Sequence, residues 1–489
     1  MTDNKTRITD STATDVSDAE YLRQLGVEPR LKRALGFVTG SLFAIAFQGP
    51  TTGALLLTGA TVALGGPAFI WAIPLIFAAQ MLLAFTWAEL NSHFPLTGGI
   101  YQWARRLGGN EAGWFTGLFY LVAIVLVMPA VGSVVNVVLN GLFSSIEVSE
   151  QNTVIIAIIT TIASGLLMAT SVRIVGLINS IGVALELVLL LLGAIVLLFH
   201  HHQNLSVLTK TGGSEGTGSY LVPFLIVIAL VTTQFVGFET AGAFAEETEN
   251  SRIKPSQAII AGLGGAALFV FIFDLCLLLA IPDVGKAMTS PSLIPTILHD
   301  EVGNGFEKLF LVGALIAVVS TAVATLATIV RTIYGMARND QLPAKAFLTK
   351  LAPGSDEPVG SIVVAVVLSM IPLIFIKKIE VIVAAITAMI LIPYIIVLVS
   401  LLYRRLTGWP RRESKFNLRG WGLPVTVVGL IWTAFVFIDS IWPRDVTNPK
   451  FGVGPMRVID DIAIGTFIIG AIWWFAYLRP RAEAVPPLD

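Results

Sequence analysis

Charge is scarce in this sequence: only 13% of its 489 residues are Asp, Glu, Lys or Arg, about half the share of an average soluble protein. That excludes an ordinary water-soluble enzyme, whose two or three domains would need charged surface between them. Cys276 is the only cysteine; it cannot form an internal disulfide, and its apolar neighbours make it a packing residue. An intramembrane enzyme would need a metal cluster or a nucleophile with a positioned base at one depth, and none of the five histidines falls inside the core of an apolar run. The phosphate-binding pattern GxxxxGK[ST] is absent, so ATP is not the driver. No basic stripe with interleaved aromatics occurs, so no nucleic-acid partner is expected.

What is present is apolar length. The apolar share is 55% and the mean hydropathy +0.82. Continuous apolar stretches run over 37–63, 68–92, 111–142, 153–171, 178–199, 221–246, 256–281, 305–333, 359–376, 379–403, 421–442 and 459–478. A bilayer core needs about 20 apolar residues per helix and about 10 per barrel strand, and these runs do not alternate, so twelve transmembrane helices are expected. The expected class is an all-α, multi-pass integral membrane protein.

The polar stretch 1–33 holds the hydroxyl-rich and acidic run Thr9 to Glu20 and no apolar core, so no cleavable leader is expected. Arg30, Lys32 and Arg33 precede the first stretch as a cytoplasmic anchor would. With both ends inside, 23 of the 31 basic residues fall on cytoplasmic segments, which favours an even number of spans with cytoplasmic termini in the plasma membrane. The longest loop, 334–358, is too short for a soluble domain and reads as a connector.

Two stretches are interrupted. In the first, Gln48-Gly49-Pro50-Thr51-Thr52-Gly53 stands between apolar halves, and Pro50 with its flanking glycines should unwind it. Five spans later, Thr232-Thr233-Gln234-Phe235-Val236-Gly237-Phe238-Glu239-Thr240 does the same. An odd offset reverses topology, so the pair points to an inverted repeat with a small polar substrate between the breaks. NH groups opening the second half-helices attract a carboxylate, and carbonyls ending the first halves attract an ammonium or a cation. A mere proline kink, its carbonyls satisfied by Thr51 or Thr52, is the alternative.

The stretches Phe235-Val-Gly-Phe-Glu-Thr240, Ala245-Glu-Glu-Thr-Glu-Asn-Ser-Arg252 and Lys254-Pro-Ser-Gln-Ala-Ile259 resemble the sixth-span signature of the amino acid, polyamine and organocation permease superfamily. Ala88-Glu-Leu90 through Phe94-Pro-Leu-Thr-Gly-Gly-Ile-Tyr101 is similar to its second-span end, and Arg331-Thr-Ile-Tyr-Gly-Met-Ala-Arg-Asn-Asp340 with Leu342-Pro343 to its eighth-span end. The resemblance implies a leucine-transporter-like fold: a tail over 1–33, inverted repeats over 34–200 and 201–403, helices eleven and twelve over 404–478, and a tail over 479–489. Pro50 in the first break departs from the glycine-rich pattern of many amino acid permeases and resembles the choline and 4-aminobutyrate branch.

The expected substrate shell is Gln48, Gly49, Thr51, Thr52, Gly53, Gln234, Gly237, Phe238 and Glu239. Glu239 could pair with a substrate amine, close a gate or cap its own half-helix. Glu186, alone in the fifth stretch, is the candidate proton carrier, seven residues after Asn179. In relatives that position resembles one where a lysine replaces a coupling cation. Ser320 and Thr321 sit where sodium-coupled members of the wider fold place hydroxyl ligands, although such hydroxyls commonly back-bond to their own helix. Asn136 and Asn140 read as glue between helices, and Gly262-Leu-Gly-Gly265 as close helix packing. His200-His201-His202 lacks the neighbours of a metal site. Trp409, Trp421, Trp442, Trp473 and Trp474 read as an interfacial belt.

These features predict a secondary active transporter importing an amino acid or related amine, with a proton favoured over sodium as coupling cation and no cofactor. Choline, 4-aminobutyrate or polyamine transport or exchange is the alternative within the fold, and a channel or substrate-sensing receptor the alternative outside it. Substrate identity, symport or exchange, and oligomeric state are not encoded in any motif found.

Overall fold

The computed structural model describes residues 17–29, 31–170, 172–212, 219–290, 292–353, 355–375, 379–410, 414–444, 448, 450 and 457–481. Arg30 and most of the Thr9 to Glu20 run lie outside the described residues, as does the tail beyond 481. Among the described residues the chain is helical, with two isolated bridges, Leu35 to Thr248 and Lys450 to Arg457, and no strand.

In order, the helices are α1 (Asp18–Gln24), α2 (Phe37–Gln48), α3 (Pro50–Gly53), α4 (Gly59–Gly65), α5 (Ala72–His93), α6 (Ile100–Leu142), α7 (Glu150–Met168), α8 (Val172–Phe199), α9 (Leu221–Gln234) and α10 (Thr240–Ala243). They continue as α11 (Lys254–Ala280), α12 (Val284–Ala287), α13 (Leu293–Val302), α14 (Asn304–Arg338), α15 (Lys345–Leu348), α16 (Val359–Met370), α17 (Pro372–Phe375), α18 (Ile379–Leu406), α19 (Gly422–Ile441) and α20 (Val458–Trp473). Among the described residues, ten helical segments are long and apolar enough to cross a membrane. Two shorter apolar helices, α9 and α16, lie within the sixth and ninth apolar stretches.

Apolar side chains around the outside are bare: Ile159, Leu166, Leu177, Val188, Ile431 and Ile469 are each at least 60% exposed. A soluble protein would not leave such a belt open, whereas lipid covers it without penalty. Inside, small residues let helices approach. A Cβ on Gly262 would lie 2.4 Å from Ala44 Cβ and one on Gly132 2.3 Å from Ala157 Cβ, so Gly262 belongs to a tight contact between α11 and α2. Asn136 Nδ2 donates to Thr153 Oγ1 at 2.8 Å across α6 and α7, the bridging role expected of it.

Some boundaries differ from expectation. The third apolar stretch starts at residue 111, but α6 begins at Ile100 and bends at Gly109, whose φ of 87° breaks the helical run. Arg105 and Arg106 therefore stand on a helix, not in a loop. The tryptophan belt also splits: Trp421 and Trp442 are 73% and 56% exposed, but Trp409 and Trp474 are buried. Trp409 packs against His93 and Phe94.

Candidate substrate site at the two helix breaks

The first break is narrower than its sequence suggests. α2 ends at Gln48, Gly49 alone turns left-handed (φ 55°, ψ 68°), and α3 restarts at Pro50. Pro50 suits that first helical position because its missing NH would have had no partner there. A π-helical turn, Ala54–Thr58, then carries the chain into α4. The second break leaves Phe235 to Glu239 between α9 and α10, with Gly237 at φ 89°.

The breaks lie against each other. Gln234 Nε2 donates to Pro50 O at 3.3 Å. A Cβ on Gly53 would fall 2.7 Å from Gln234 Cγ, and one on Gly237 1.9 Å from Phe47 Cδ1. Gln48, Thr51, Thr52, Gln234, Phe238 and Glu239 are all buried. Gln48 Nε2 bonds back to Ala44 O at 3.0 Å, but Gln48 Oε1 has no hydrogen-bond partner among the described residues.

Glu186, from the middle of α8, reaches this place. Its Oε1 accepts the backbone NH of Thr51 at 2.7 Å, one of the NH groups that open α3 and find no helical acceptor. Among the described residues Glu186 Oε2 has no hydrogen-bond partner, and neither do the side-chain atoms of Asn179 two turns earlier. Most buried polar groups in folded proteins are hydrogen-bonded, so these atoms are open to a partner such as water or a ligand. Thr52 Oγ1 meets Thr321 Oγ1 of α14 at 3.1 Å, and Thr321 also back-bonds to Ala317 O at 3.3 Å. Ser320 instead faces α8, where a Cβ on Gly182 would fall 1.7 Å from its Oγ.

Glu239 stands at the N-cap position of α10, yet its side chain caps nothing. It turns towards two tyrosines: Tyr120 OH of α6 donates to Oε1 at 2.8 Å, and Tyr394 OH of α18 donates to Oε2. Tyr394 OH also accepts from Gly237 N at 3.4 Å. Sequence reasoning missed both tyrosines, since nothing local ties a hydroxyl to an acid more than a hundred residues away.

It also missed a lock at the α1 end of the molecule. Leu35 N donates to Glu247 O, and Glu249 N to Leu35 O, pinning the entry to α2 against the exit from α10. Buried Arg331 bridges Glu247 and Glu357 at 2.9 Å each, and Arg338 grips Glu246 at 2.8 and 2.6 Å. Glu246 also accepts Thr97 N at 2.8 Å. The motif stretches around Thr97, Glu246 and Arg338, distant in sequence, therefore meet at one point. Burial pushes the Glu357 carboxyl above its ordinary range, against the pull of Arg331.

A family profile described as amino acid permease matches residues 37–459, from α2 into the start of α20. The chain belongs to the amino acid permease family. It is 21% identical to an amino-acid permease of Oryza sativa subsp. japonica, over 97% of this chain and 98% of that one. It is 23% identical to an amino-acid permease of Schizosaccharomyces pombe, over 96% and 90%. It is also 22% identical to the low-affinity putrescine importer of Escherichia coli K12, over 61% and 65%. Membership agrees with the resemblance carried by the three motif stretches, and with an integral membrane protein built to move small molecules. In this permease His202 bonds Glu301 and His299 bonds Glu307. Among the described residues no group of three or more His, Cys, Asp or Glu is placed to hold a metal.

Proposed function

We propose that this permease is a secondary active transporter of an amino acid or related amine, coupled to protons through Glu186. The carrying observation is the 2.7 Å hydrogen bond from Thr51 N to Glu186 Oε1, which joins the lone acid of α8 to the first helix break. When the carboxyl is ionised, it holds the opening NH of α3; when it takes up a proton, that acceptor weakens and the NH is freed for a substrate carboxylate. Proton uptake and substrate capture are then coupled at one backbone group. Glu239, held by two tyrosines, fixes the second break and is a gate rather than the proton carrier. The relatives named for amino acids and for putrescine support the substrate class.

In this reading there are twelve spans, α9 with α10 forming the sixth and α16 with α17 the ninth, arranged as two inverted five-helix repeats. Both termini face the cytoplasm, so the lock of Arg331 and Arg338 closes the inner end. Alternating access opens one end while the other stays shut.

The test is uptake by proteoliposomes of radiolabelled amino acids and putrescine, with and without an imposed pH gradient. Glu186→Gln should bind substrate yet lose pH-driven accumulation. If Glu186→Gln still concentrates substrate while Glu239→Gln does not, the proton travels at the second break. Normal accumulation by both variants with a requirement for external sodium would move coupling to Thr52, Ser320 and Thr321.

A further inference from the structure

A second site lies well away from the helix breaks. On the face that carries α1, an open-mouthed cavity of about 760 Å³ is lined by the turn after α1, the first turns of α6, the end of α14 with the loop behind it, and the turn that follows α20. None of the break residues lines it.

Its lining is rich in cations. Arg105, Arg106, Arg338, Lys345 and Arg481 line it, against Glu28 and Asp340. Two of the five are already matched, Arg338 by Glu246 and Lys345 by Asp340 at 2.5 Å. Glu28 lies 3.8 Å from Arg23. Among the described residues the other three cations have no carboxylate within ion-pair distance. Arg105 Nε donates to Asn110 Oδ1 at 2.8 Å, Arg106 Nη2 to Leu25 O, and Arg481 lies 3.9 Å over the Tyr477 ring.

Arg105 and Arg106 are only 8% and 4% exposed, and adjacent buried guanidinium groups without a counter-charge are unfavourable. Among the described residues two donors of the lining have no hydrogen-bond partner, Arg106 Nε and Trp474 Nε1, against one such acceptor, Gln341 Oε1. The cavity therefore offers a surplus of positive charge and NH groups to an anion with several oxygens. Planar guanidinium forks fit phosphate in particular.

The wall indicates where that phosphate comes from. The turn Trp474–Leu478 is π-helical, with Trp474 and Leu478 buried on the cavity side. Ile472 and Phe475, on the outer side of the same segment, are 64% and 61% exposed. One helix thus separates the cationic cavity from the apolar surface that acyl chains would cover, and basic pockets beside spans are suited to anionic headgroups.

We propose that this cavity binds a phosphate ester, and that the ester is the headgroup of an anionic phospholipid whose chains lie along Ile472 and Phe475. The test uses the full chain purified from mixed membranes and examined by native mass spectrometry. Phosphatidylglycerol should be retained in preference to phosphatidylcholine, and Arg106→Gln and Arg481→Gln should each reduce that retention at least fivefold. Arg481 is exposed, so its variant reports even if the buried Arg106 variant fails to fold. Arg419→Gln, which removes an exposed charge elsewhere, should change nothing; an equal loss there would mean unspecific attraction and overturn the site.

A second arm titrates the protein in phosphatidylcholine nanodiscs with glycerol 3-phosphate and inorganic phosphate, following tryptophan fluorescence. Saturable binding abolished by Arg481→Gln, with no preference for phosphatidylglycerol in the first arm, would keep the phosphate and overturn the lipid. Failure of both arms overturns the proposal, whatever the outcome of the transport assays.

Discussion

Thr51 N and Glu186 Oε1 lie 2.7 Å apart although 135 residues separate them. The bond ties the centre of a largely apolar helix to the one turn of α3 whose NH groups lack helical acceptors.

Glu186→Gln preserves shape and can still accept from Thr51 N, but it cannot cycle a proton. One charge moved across 100 mV supplies about 2.3 kcal/mol, roughly fifty-fold accumulation. The wild type should concentrate substrate by tens of fold under an inward proton gradient, and the variant should stop near equal concentrations with its equilibrium binding changed less than tenfold. Proteoliposome uptake beside scintillation-proximity binding reads both.

The tyrosine clamp on Glu239 should behave as a unit. Removing one hydroxyl from a charged hydrogen bond destabilises by about 1.5–3 kcal/mol. Tyr120→Phe and Tyr394→Phe should each slow transport at least tenfold. The double variant should be well short of the product, because both act on one carboxylate. Strict additivity in the double-mutant cycle would mean that the two hydroxyls act separately.

Gly237 leaves no room for a side chain. Its φ of 89° disfavours any L residue, and a Cβ would sit 1.9 Å from the Phe47 ring. Gly237→Ala should therefore lower the melting temperature as well as transport, by an overpacking penalty of about 1–3 kcal/mol. Gly49→Ala, at φ 55° and 2.7 Å from Thr321 Oγ1, should do the same more mildly, since its closest contact is longer than the 1.9 Å at Gly237. Differential scanning fluorimetry of the two variants checks the order.

Glu357 carries a pH signature. Its folded carboxyl is raised by burial above the ordinary value of 4.5, so its contribution to stability is fully present below that value and lost as pH rises through the folded pKa. Glu357→Gln removes this loss and leaves Arg331 paired with Glu247 at 2.9 Å. The melting temperature of the wild type relative to the variant should fall as pH rises above 4.5. A difference that stays constant at every pH at which the protein is folded would mean that the Glu357 carboxyl is not raised.

Topology can be read with single cysteines on a Cys276→Ser background. Lys210 and Lys350 are exposed on loops that the twelve-span arrangement puts on opposite sides. Lys210→Cys should react with an impermeant maleimide from outside intact cells, and Lys350→Cys only after permeabilisation.

Much of this was legible from the order of residues. Insertion into lipid depends on the summed hydropathy of a contiguous run, and a helix break depends on Pro50, Gly49 and Gly237 wherever the helix packs; both are properties of neighbours along the chain. The three motif stretches likewise carry family membership as sequence. Which face each helix turns inward is another matter, because many rotations of an almost wholly apolar helix are equally acceptable to lipid. Contacts with other helices choose among them. Only the assembled bundle brings Glu186 to Thr51, aims Tyr120 and Tyr394 at Glu239 and turns Ser320 away from the break. It also places Trp474 and Arg106 in the lining of one cavity. Small residues such as Gly132, Gly182 and Gly262 let particular helices approach closely enough to fix their rotations.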